Sequence, residues 1–209
     1  MIEVIGPWNR ANHTRTLEAM FRLRHQVFVE EMGWQLPLAK DGLEIDQFDT
    51  ARTIYLVCRG DDGDIAGSMR LIPSVLPHLL GDVFPGLCNG PVPRGPAIFE
   101  SSRSCVSRRV RETDRRGTVW GALSCGMIEY AMLRELDFIT AVMDRRMVGM
   151  AQAADWHLNV LGPEIEMGGI GVVGVTMPID EIALQTVRRQ RGVPDPVLSL
   201  RFTDAAIAA

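Results

Sequence analysis

The first 31 residues carry the clearest hydrophobic pattern of the chain, with apolar side chains at three- and four-residue spacing. This pattern predicts a helix over about residues 11–31, with Asn12 or Thr14 as its N-terminal cap. The predicted apolar stripe consists of Leu17, Met20, Phe21, Val27 and Phe28. In a soluble protein such a stripe faces the core.

One charged residue, Arg24, lies within this apolar stripe. A guanidinium keeps its charge, so in a buried position it needs carboxylates as partners. Asp46 and Asp49 are the candidates, in a segment from 33 to 50 that shows no clear periodicity. We expect this segment to be a mobile loop at a binding site. A surface arginine with two solvated acids is the alternative interpretation.

The rest of the chain alternates between strand and helix patterns. Apolar runs predict strands at 2–5, 53–59, 65–72, 97–106, 138–143, 157–161 and 170–176, with a hairpin turn at 61–64. Helical spacing predicts further helices at 118–135, 145–154 and 180–190. Six prolines mark residues 73–97 as a connection with at most one helical turn, and the tail from Asp204 is expected to fray. This order predicts a single α/β domain over 1–209, with a mixed twisted sheet flanked by helices.

Composition and charge narrow the class of protein. The chain has 209 residues, 46% hydrophobic and 23% charged, which fits one soluble globular domain. Its net charge of −4 argues against a general nucleic-acid binder. The four cysteines occur singly, which indicates free thiols in a reducing compartment. We find no signal-peptide pattern and no apolar run near the roughly 18 residues of a membrane span, so the expected location is the cytoplasm.

Two patterns could suggest ligand sites. Residues 169–174 match G-x-G-x-x-G, but they continue into a strand pattern instead of opening a helix, so we interpret them as strand glycines. The four histidines share no metal-binding spacing, so we expect structural roles and no metal site: His13, His25, His78 and His157.

Two predicted strands carry charged residues. Arg70 lies in the strand at 65–72, and Glu100-Ser-Ser-Arg103 lies in the strand at 97–106. Together with the N-terminal residues, these positions resemble the acyl-homoserine lactone synthases, the autoinducer synthases of bacterial quorum sensing. The resemblance covers about residues 15–160 and rests on eight positions in register: Arg24, Phe28, Trp34, Asp46, Asp49, Arg70, Glu100 and Arg103.

The resemblance implies an acetyltransferase-like (GNAT) fold and an acyltransferase without a permanently bound cofactor. The amine of S-adenosylmethionine would attack an acyl thioester of acyl carrier protein or coenzyme A, and lactonisation would then release methylthioadenosine. Residues 1–50 would cover the adenosylmethionine pocket, and residues 51–200 would form the sheet core and the acyl-donor side. The implied pocket residues are Arg24, Phe28, Trp34 and Arg70. The implied catalytic residues are Glu100, as the general base, with Arg103, Asp46 and Asp49.

Glu100 and Arg103 conflict with a regular strand. Residues of opposite parity point to opposite faces of a sheet, so both can serve one cleft only if the strand contains a β-bulge. We therefore predict a bulge in this strand, with backbone amides beside it that could stabilise an oxyanion.

The acyl chain is expected to lie between the strand at 138–143 and the helix at 118–135. The predicted acyl-pocket residues are Ser102, Met127, Ala141 and Met143. Alignment with the family places Ala141 where members that make 3-oxo products usually carry threonine, and Thr140 points to the other face. An alanine leaves a buried 3-oxo group unpaired at a cost of about 1–3 kcal/mol, so we predict a preference for chains without that group.

An arginine-rich stretch from 103 to 116 indicates where the acyl donor binds, although a solvated charged face is the alternative. The implied donor contacts are Arg108, Arg109, Arg115 and Arg116. They lie next to a helix start near Thr118, which favours phosphate. If an acidic carrier protein docks there, the reaction rate should fall as salt rises.

Two alternative functions remain open. One is an acetyl-CoA N-acetyltransferase on the same fold, although residues 115–120 do not match the Q/R-x-x-G-x-G/A loop of those enzymes. The other is a binding module that senses acyl or adenosyl ligands without turnover. Release of methylthioadenosine from adenosylmethionine and an acyl donor would discriminate all three.

Overall fold

The computed structural model describes residues 1–153 and 155–199, and a mixed β-sheet forms its centre. The strands in these residues are β1 (Ile2–Ile5), β2 (Ile54–Arg59), β3 (Ile65–Pro73), β4 (Ile98–Val106), β5 (Phe138–Asp144), β6 (Asn159–Val160), β7 (Ile165–Met167), β8 (Ile170–Pro178) and β9 (Leu198–Ser199). The α-helices are α1 (Thr14–Arg24), α2 (Leu79–Asp82), α3 (Arg108–Thr113), α4 (Thr118–Leu133), α5 (Arg145–Ala153) and α6 (Glu181–Arg191). Short 3-10 turns lie at Arg10–His13 and Pro85–Leu87.

The sheet has the strand order β6-β8-β5-β4-β3-β2-β1-β9, and β7 also pairs with β8. The pairs β4–β5 and β1–β9 are parallel, and the others are antiparallel. The predicted mixed sheet flanked by helices is therefore confirmed. Within the described ranges, no helix combines the length and the apolar character needed to cross a membrane.

Several short elements differ from the prediction. The predicted strand at 157–161 contracts to β6, and the connection at 73–97 contains two helical turns where at most one was expected. β7, β9 and α3 are additional elements of two to six residues, too short to produce a readable periodicity. The end of the predicted helix at residue 154 and the tail from Asp204 lie outside the described residues.

The first helix changes its geometry along its length. A 3-10 turn leads into α1, which continues as a π-helix over His25–Glu31. His13 occupies the N-cap position of α1 without a capping side-chain hydrogen bond, so the predicted caps are wrong. The predicted apolar stripe is confirmed as buried. The π-helical segment carries Phe28, whose backbone carbonyl accepts the N–H of Trp34 at 2.9 Å, and such segments are frequent at functional sites.

The two faces of the sheet bury different kinds of side chain. The face covered by α4, α5 and α6, which we call the apolar face, carries the larger hydrophobic cluster, including Leu56, Leu71, Met127, Val148, Val175 and Leu184. The other face, which we call the charged face, carries α1, the π-helix and a smaller cluster around Phe21, Phe28 and Tyr55. That face also holds buried charged side chains, among them Arg24, Glu44, Asp49, Arg70 and Glu100.

β4 contains the predicted bulge. Its pairing with β3 skips a position between Ser68 and Arg70, so residues 103 and 104 of β4 together oppose Met69. Arg103 has a φ of 50°, an uncommon left-handed conformation for a residue other than glycine. The bulge brings Arg103 onto the charged face together with Glu100.

β4 and β5 pair only over their first halves. The parallel ladder ends at the pair Ser101–Ala141, after which β4 continues beside β3 and β5 continues beside β8. A cleft therefore opens between the two strands, next to the bulge. Backbone groups along such a cleft are available to a bound ligand.

Candidate active site

Arg24 is the centre of a buried ion network on the charged face. Its side chain is fully buried. Nη1 and Nη2 donate to the two carboxylate oxygens of Asp49 at 2.9 Å each, and Nε donates to Glu44 Oε2 at 2.5 Å. The loop at 33–50 folds back on α1 through a backbone bond of 3.1 Å from Glu44 N to Phe21 O, which brings the acids to the arginine.

Asp46 does not pair with Arg24, so this part of the prediction is wrong. Its carboxylate contacts Arg70 Nη1 at 2.5 Å and Arg103 Nη2 at 2.8 Å. The second acid on Arg24 is Glu44, which also accepts from Arg103 Nε at 3.0 Å. Glu44 lies two residues before Asp46 in the segment Glu44-Ile-Asp46-Gln-Phe-Asp49, so the sequence does contain a third acid close to the two predicted partners.

One nitrogen of the Arg70 guanidinium has no hydrogen-bond partner among the described residues. Its Nε donates to Ser102 Oγ at 3.0 Å, and its Nη1 lies 2.5 Å from Asp46 and 3.2 Å from Asp49. Its Nη2 is buried and has no hydrogen-bond partner among the described residues. A buried guanidinium with an unpaired donor is costly unless a ligand completes it.

Charge in the network is balanced, with three arginines facing three carboxylates. Burial would raise the pKa of Asp49, but the charge and hydrogen bonds of Arg24 outweigh it and hold that pKa well below its usual range. Burial and the neighbouring Asp49 raise the pKa of Tyr55, whose hydroxyl donates to Asp49 at 2.9 Å. Asp49 therefore stays ionised at neutral pH and Tyr55 stays protonated.

Aromatic rings line the same site. Phe28 and Trp34 stack with their ring centroids 5.0 Å apart and an interplanar angle of 19°. The Arg103 guanidinium lies 5.7 Å from the Phe28 centroid and 6.0 Å from that of Trp34. The ring of Phe48, which is not one of the eight motif positions, lies 5.7 Å from the Arg70 guanidinium.

The loop at 33–50 also borders a groove of about 270 Å³. Its lining residues lie between Leu38 and Gln47 and include Asp46.

Glu100 is fully buried and held by backbone amides. Its two carboxylate oxygens accept the N–H groups of Leu79 at 2.8 Å and Leu80 at 2.6 Å, the first residues of α2. Burial raises the pKa of Glu100, and the two amide bonds offset only part of that effect. Such a carboxyl accepts a proton more readily than an exposed one. Sequence reasoning missed the amides because α2 is a single turn.

The predicted acyl-pocket residues do not all come together. Three of them lie on the apolar face: Met127, Ala141 and Met143. Ser102 lies on the charged face, so its placement with the other three requires correction. The strand register puts Ser101 beside Ala141 instead, and it puts Thr140 on the opposite face, as predicted.

The basic stretch is partly neutralised by neighbouring acids. Arg108 and Arg109 form exposed ion pairs with Glu112 and Asp62 respectively. A groove of about 670 Å³ beside α3 is lined by Gln26, Glu30, Glu31, Arg108 and Arg111. Two arginines of the stretch form no ion pair with any residue in 1–153 or 155–199: Arg115 and Arg116.

The start of α4 is not an open phosphate site, so that prediction is wrong. Asp114 accepts the backbone N–H of Val119 at 2.9 Å. Although partial burial acts to raise the pKa of Asp114, its bonds to amides at the helix start lower that pKa overall. The chain's own carboxylate thus occupies the position that a phosphate would take.

Comparison with known proteins decides the family. A family model described as "Autoinducer synthase" matches residues 9–187. The chain belongs to the autoinducer synthase family. An acyl-homoserine-lactone synthase of Ralstonia solanacearum is 33% identical over 187 residues, which cover 86% of this chain and 91% of the relative. An isovaleryl-homoserine lactone synthase of Bradyrhizobium diazoefficiens is 30% identical over 200 residues, which cover 94% and 88%.

Solved structures agree with this assignment. A CoA-dependent acyl-homoserine lactone synthase, MesI, superposes with a TM-score of 0.85 at 29% identity, over 95% of this chain and 99% of that one. BjaI, with SAM and isopentyl-CoA bound, gives 0.86 at 27% identity, over 100% and 98%. An acyl-CoA N-acyltransferase from Pseudomonas aeruginosa shares the fold alone, with a TM-score of 0.59 at 15% identity. This autoinducer synthase is thus an acyltransferase with the predicted GNAT-like fold, and its family favours lactone synthesis over the acetyltransferase alternative.

Proposed function

We propose that the protein makes an acyl-homoserine lactone from S-adenosylmethionine and an acyl thioester of coenzyme A. The observation that carries this proposal is that the eight motif positions, from Arg24 to Arg103, meet on the charged face beside the β4–β5 cleft. A purely structural ion network would not need a buried donor, Arg70 Nη2, that has no hydrogen-bond partner among the described residues.

Adenosylmethionine binds on the charged face, between the sheet and the loop at 33–50. Arg70 Nη2 donates to an oxygen of this substrate and so obtains the partner that the protein does not provide. Phe28 and Trp34 cover the site, and their rings attract the sulfonium. The remaining ion pairs fix Arg70 and the loop in place before the substrate arrives.

Acyl transfer begins at Glu100. Its carboxylate takes a proton from the substrate ammonium, directly or through a water, which frees the amine to attack the thioester carbonyl. That carbonyl lies in the cleft between β4 and β5, where backbone amides near the bulge stabilise the oxyanion. The acyl chain extends past Ser101 and Ala141 along the apolar face. The C–S bond then breaks, and the donor leaves as a thiol.

Lactonisation follows in the same pocket. The carboxylate of the acylated intermediate attacks the carbon next to the sulfonium and displaces methylthioadenosine. Because the sulfonium is already a good leaving group, the protein supplies mainly orientation for this step.

Coenzyme A is the proposed acyl carrier. MesI and BjaI, which are described as CoA-dependent, resemble this chain over nearly its whole length. The ion pairs of Arg108 and Arg109 also reduce the positive surface that an acidic carrier protein would recognise. Arg115 and Arg116 remain as contacts for the phosphates of coenzyme A.

Chromatographic measurement of methylthioadenosine tests the proposal. The purified protein is incubated with adenosylmethionine and either isovaleryl-CoA or a straight-chain acyl-CoA, and mass spectrometry identifies the product. We expect methylthioadenosine and lactone in equal amounts, and only when an acyl donor is present. Release of coenzyme A without methylthioadenosine would indicate simple N-acylation instead. Binding of adenosylmethionine without any turnover would indicate a binding module.

A further inference from the structure

The α2 turn binds Glu100 but is too short to be stable by itself. It has four residues, of which Leu80 is the buried one. An isolated helix shorter than about 12–15 residues is marginal in water, so the conformation of this turn depends on contacts with the rest of the protein. The N–H groups of Leu79 and Leu80 keep their positions on the Glu100 carboxylate only while those contacts hold.

Arg94, in the connection before β4, provides such contacts. Its Nη2 donates to Asp82 Oδ2 at 3.1 Å, and its Nη1 donates to the carbonyl oxygens of Ser74 at 3.2 Å and Leu76 at 3.3 Å. Asp82 Oδ2 also accepts the backbone N–H of His78 at 2.8 Å. One guanidinium therefore connects the last residue of α2 with the chain that leads into this turn.

The position of Arg94 is itself fixed by its neighbours. Gly95 N donates to Ser74 Oγ at 2.9 Å, and Ser74 Oγ donates to Gly95 O at 3.1 Å. Ser74 is fully buried, so the main chain next to Arg94 is anchored in the protein interior. A Cβ at Gly81 would collide with Arg94 Nη2, so the guanidinium lies directly on the turn.

An isolated ion pair would not be sufficient to hold the turn. The side chains of Arg94 and Asp82 are 39% and 42% exposed, and exposed pairs contribute little to stability. A planar guanidinium, however, can donate to a carboxylate and to carbonyl oxygens at the same time. Acceptors that precede and follow His78 in the chain share this one donor group, which limits the movement of α2.

We infer that Arg94 is a positioning residue for the general base. Through Asp82 it holds α2 in the place where the N–H groups of Leu79 and Leu80 meet the Glu100 carboxylate. Arg94 and Glu100 share no hydrogen bond or ion pair, so the effect passes through the turn. The inference rests on the proposed function, in which Glu100 takes the proton.

The pH–rate profile reports whether the turn is in place. Burial raises the pKa of Glu100, and the two N–H groups act to lower it because they favour the ionised carboxylate. If α2 moves, those bonds weaken and the pKa of Glu100 rises further. A smaller fraction of Glu100 is then ionised at a given pH, so the acid limb of kcat/KM moves to higher pH. The charged or titratable side chains around the turn and Glu100 are Arg70, His78, Asp82 and Arg94.

Two variants separate positioning from a direct effect of charge. Arg94→Gln removes a positive charge and Asp82→Asn removes a negative one, so their direct electrostatic effects on the pKa of Glu100 have opposite signs. Asp82→Asn still offers an oxygen to the His78 N–H but loses the charge that attracts Arg94. We expect both variants to move the acid limb of kcat/KM to higher pH, by about half a unit to one unit in Arg94→Gln. Arg94→Lys, which keeps the charge without the planar set of donors, should show a smaller shift in the same direction.

Arg59→Gln is the matched control. Arg59 is 43% exposed, and it likewise joins a carboxylate, a hydroxyl and a backbone carbonyl, those of Glu3, Thr16 and Gly63. It lies beside the opposite end of β3 from the position that pairs with Glu100. We expect Arg59→Gln to lower the melting temperature about as much as Arg94→Gln does, but to leave the pH profile unchanged.

Hydrogen exchange measured by mass spectrometry gives a readout that does not depend on activity. In Arg94→Gln, the peptide that contains Leu79 and Leu80 should exchange faster than in the wild type and in Arg59→Gln. Unchanged exchange in this peptide would overturn the inference. So would an unchanged acid limb in Arg94→Gln, an equal shift in Arg59→Gln, or a shift to lower pH in Asp82→Asn.

The proposed function is judged separately, by methylthioadenosine release from the wild type. If the wild type releases none, the proposed function fails, and the exchange measurement alone decides whether Arg94 holds α2. If the wild type does release it while exchange and pH profile are the same in Arg94→Gln, only the role of Arg94 fails.

Discussion

The two faces of the sheet are both well buried, but they are held together by different forces. On the charged face, Arg24 donates to both Glu44 and Asp49 through directed contacts of 2.5–2.9 Å. On the apolar face, burial of aliphatic side chains such as Leu71 and Val175 is non-directional. Directed contacts fix positions and tolerate few substitutions, whereas an apolar cluster tolerates changes of shape at constant volume. We therefore expect chemistry to be set on the charged face and acyl-chain preference on the apolar face.

Two glutamates, Glu100 and Glu129, show the difference between the faces, although each accepts a pair of backbone N–H groups. Glu100 accepts those of α2 and forms no ion pair with a described residue. Glu129, in α4, accepts the amides of Val197 at 3.0 Å and Leu198 at 3.1 Å, and it also binds Arg188 at 2.9 Å. The arginine neutralises Glu129, which anchors the chain leading into β9. Glu100 lacks such a partner, and its raised pKa suits it to proton transfer.

The largest expected effect on the reaction rate comes from replacing Glu100. Glu100→Gln should lower kcat by about 10²–10⁴-fold. Its melting temperature should also fall, because the glutamine NH2 group cannot accept one of the two backbone N–H groups that Glu100 accepts. Glu129→Gln is the control, because it loses one amide contact in the same way, and it should show a lower melting temperature with kcat retained. Steady-state kinetics and thermal unfolding of both variants check this. Equal losses of activity in the two would contradict the assignment of Glu100 as the base.

The wild type should also show the pH dependence of this base. Glu100 must be ionised to accept a proton, and burial raises its pKa above the ordinary 4.5. Activity should therefore fall on acidification, beginning at a pH above the usual carboxyl range. The residual activity of Glu100→Gln should lack this step.

Breaking the ion network should cost stability. Asp49→Asn leaves Arg24 buried with one carboxylate fewer, so we expect a loss of about 3–5 kcal/mol in the free energy of unfolding at pH 7. The pKa of Asp49 is held below its ordinary 3.8, so its contribution is present above that pH and is lost as the pH falls toward the native pKa. Urea unfolding at several pH values measures both effects. Glu112→Gln, at the exposed pair with Arg108, is the control and should change stability far less.

Sequence patterns predicted the architecture, and the family resemblance predicted most of the charged face. The buried Arg24 followed from periodicity, because a charge in an apolar stripe has few physical solutions. The β4 bulge followed from strand parity once the resemblance had assigned Glu100 and Arg103 to one cleft. The sequence did not predict which carboxylate pairs with which arginine. Glu44 and Asp46 are two residues apart in a loop without periodicity, so only the fold decides which of them reaches Arg24.

The sequence could not predict features that depend on short elements. The amides of Leu79 and Leu80 meet Glu100 because one helical turn docks on the sheet, and a turn of four residues leaves no pattern. Asp114 accepts the backbone N–H of Val119 at the start of α4 because the preceding loop turns at Gly117, whose φ is 66°. No sequence pattern specifies that loop conformation. Ser101 lies on the apolar face and Ser102 on the charged face. The nearby bulge interrupts the alternation of the strand, so the sequence did not decide which of the two serines faces the acyl chain.

The apolar face should control the type of acyl chain. Ala141 is buried beside Ser101 and offers no hydrogen-bond donor to a 3-oxo group, so the wild type should prefer unsubstituted chains. Ala141→Thr adds a hydroxyl there and should shift the ratio of rates toward 3-oxo substrates by roughly ten- to a hundredfold. Thr140→Val, on the charged face, should leave this ratio unchanged. Rates with matched acyl and 3-oxo-acyl donors test the shift, and an unchanged ratio in Ala141→Thr would place the chain elsewhere.

The smallest effect is expected at the exposed arginines, which belong to neither buried face. If coenzyme A is the donor, Arg115 and Arg116 contribute only screened surface contacts. The double variant Arg115→Gln/Arg116→Gln should therefore raise the KM for acyl-CoA by roughly two- to fivefold, and the rate should depend weakly on salt. Arg15→Gln, at an exposed arginine on α1, is the matched control and should leave that KM unchanged. A faster reaction with an acyl carrier protein, suppressed strongly by salt and by the double variant, would show instead that the basic stretch docks an acidic protein.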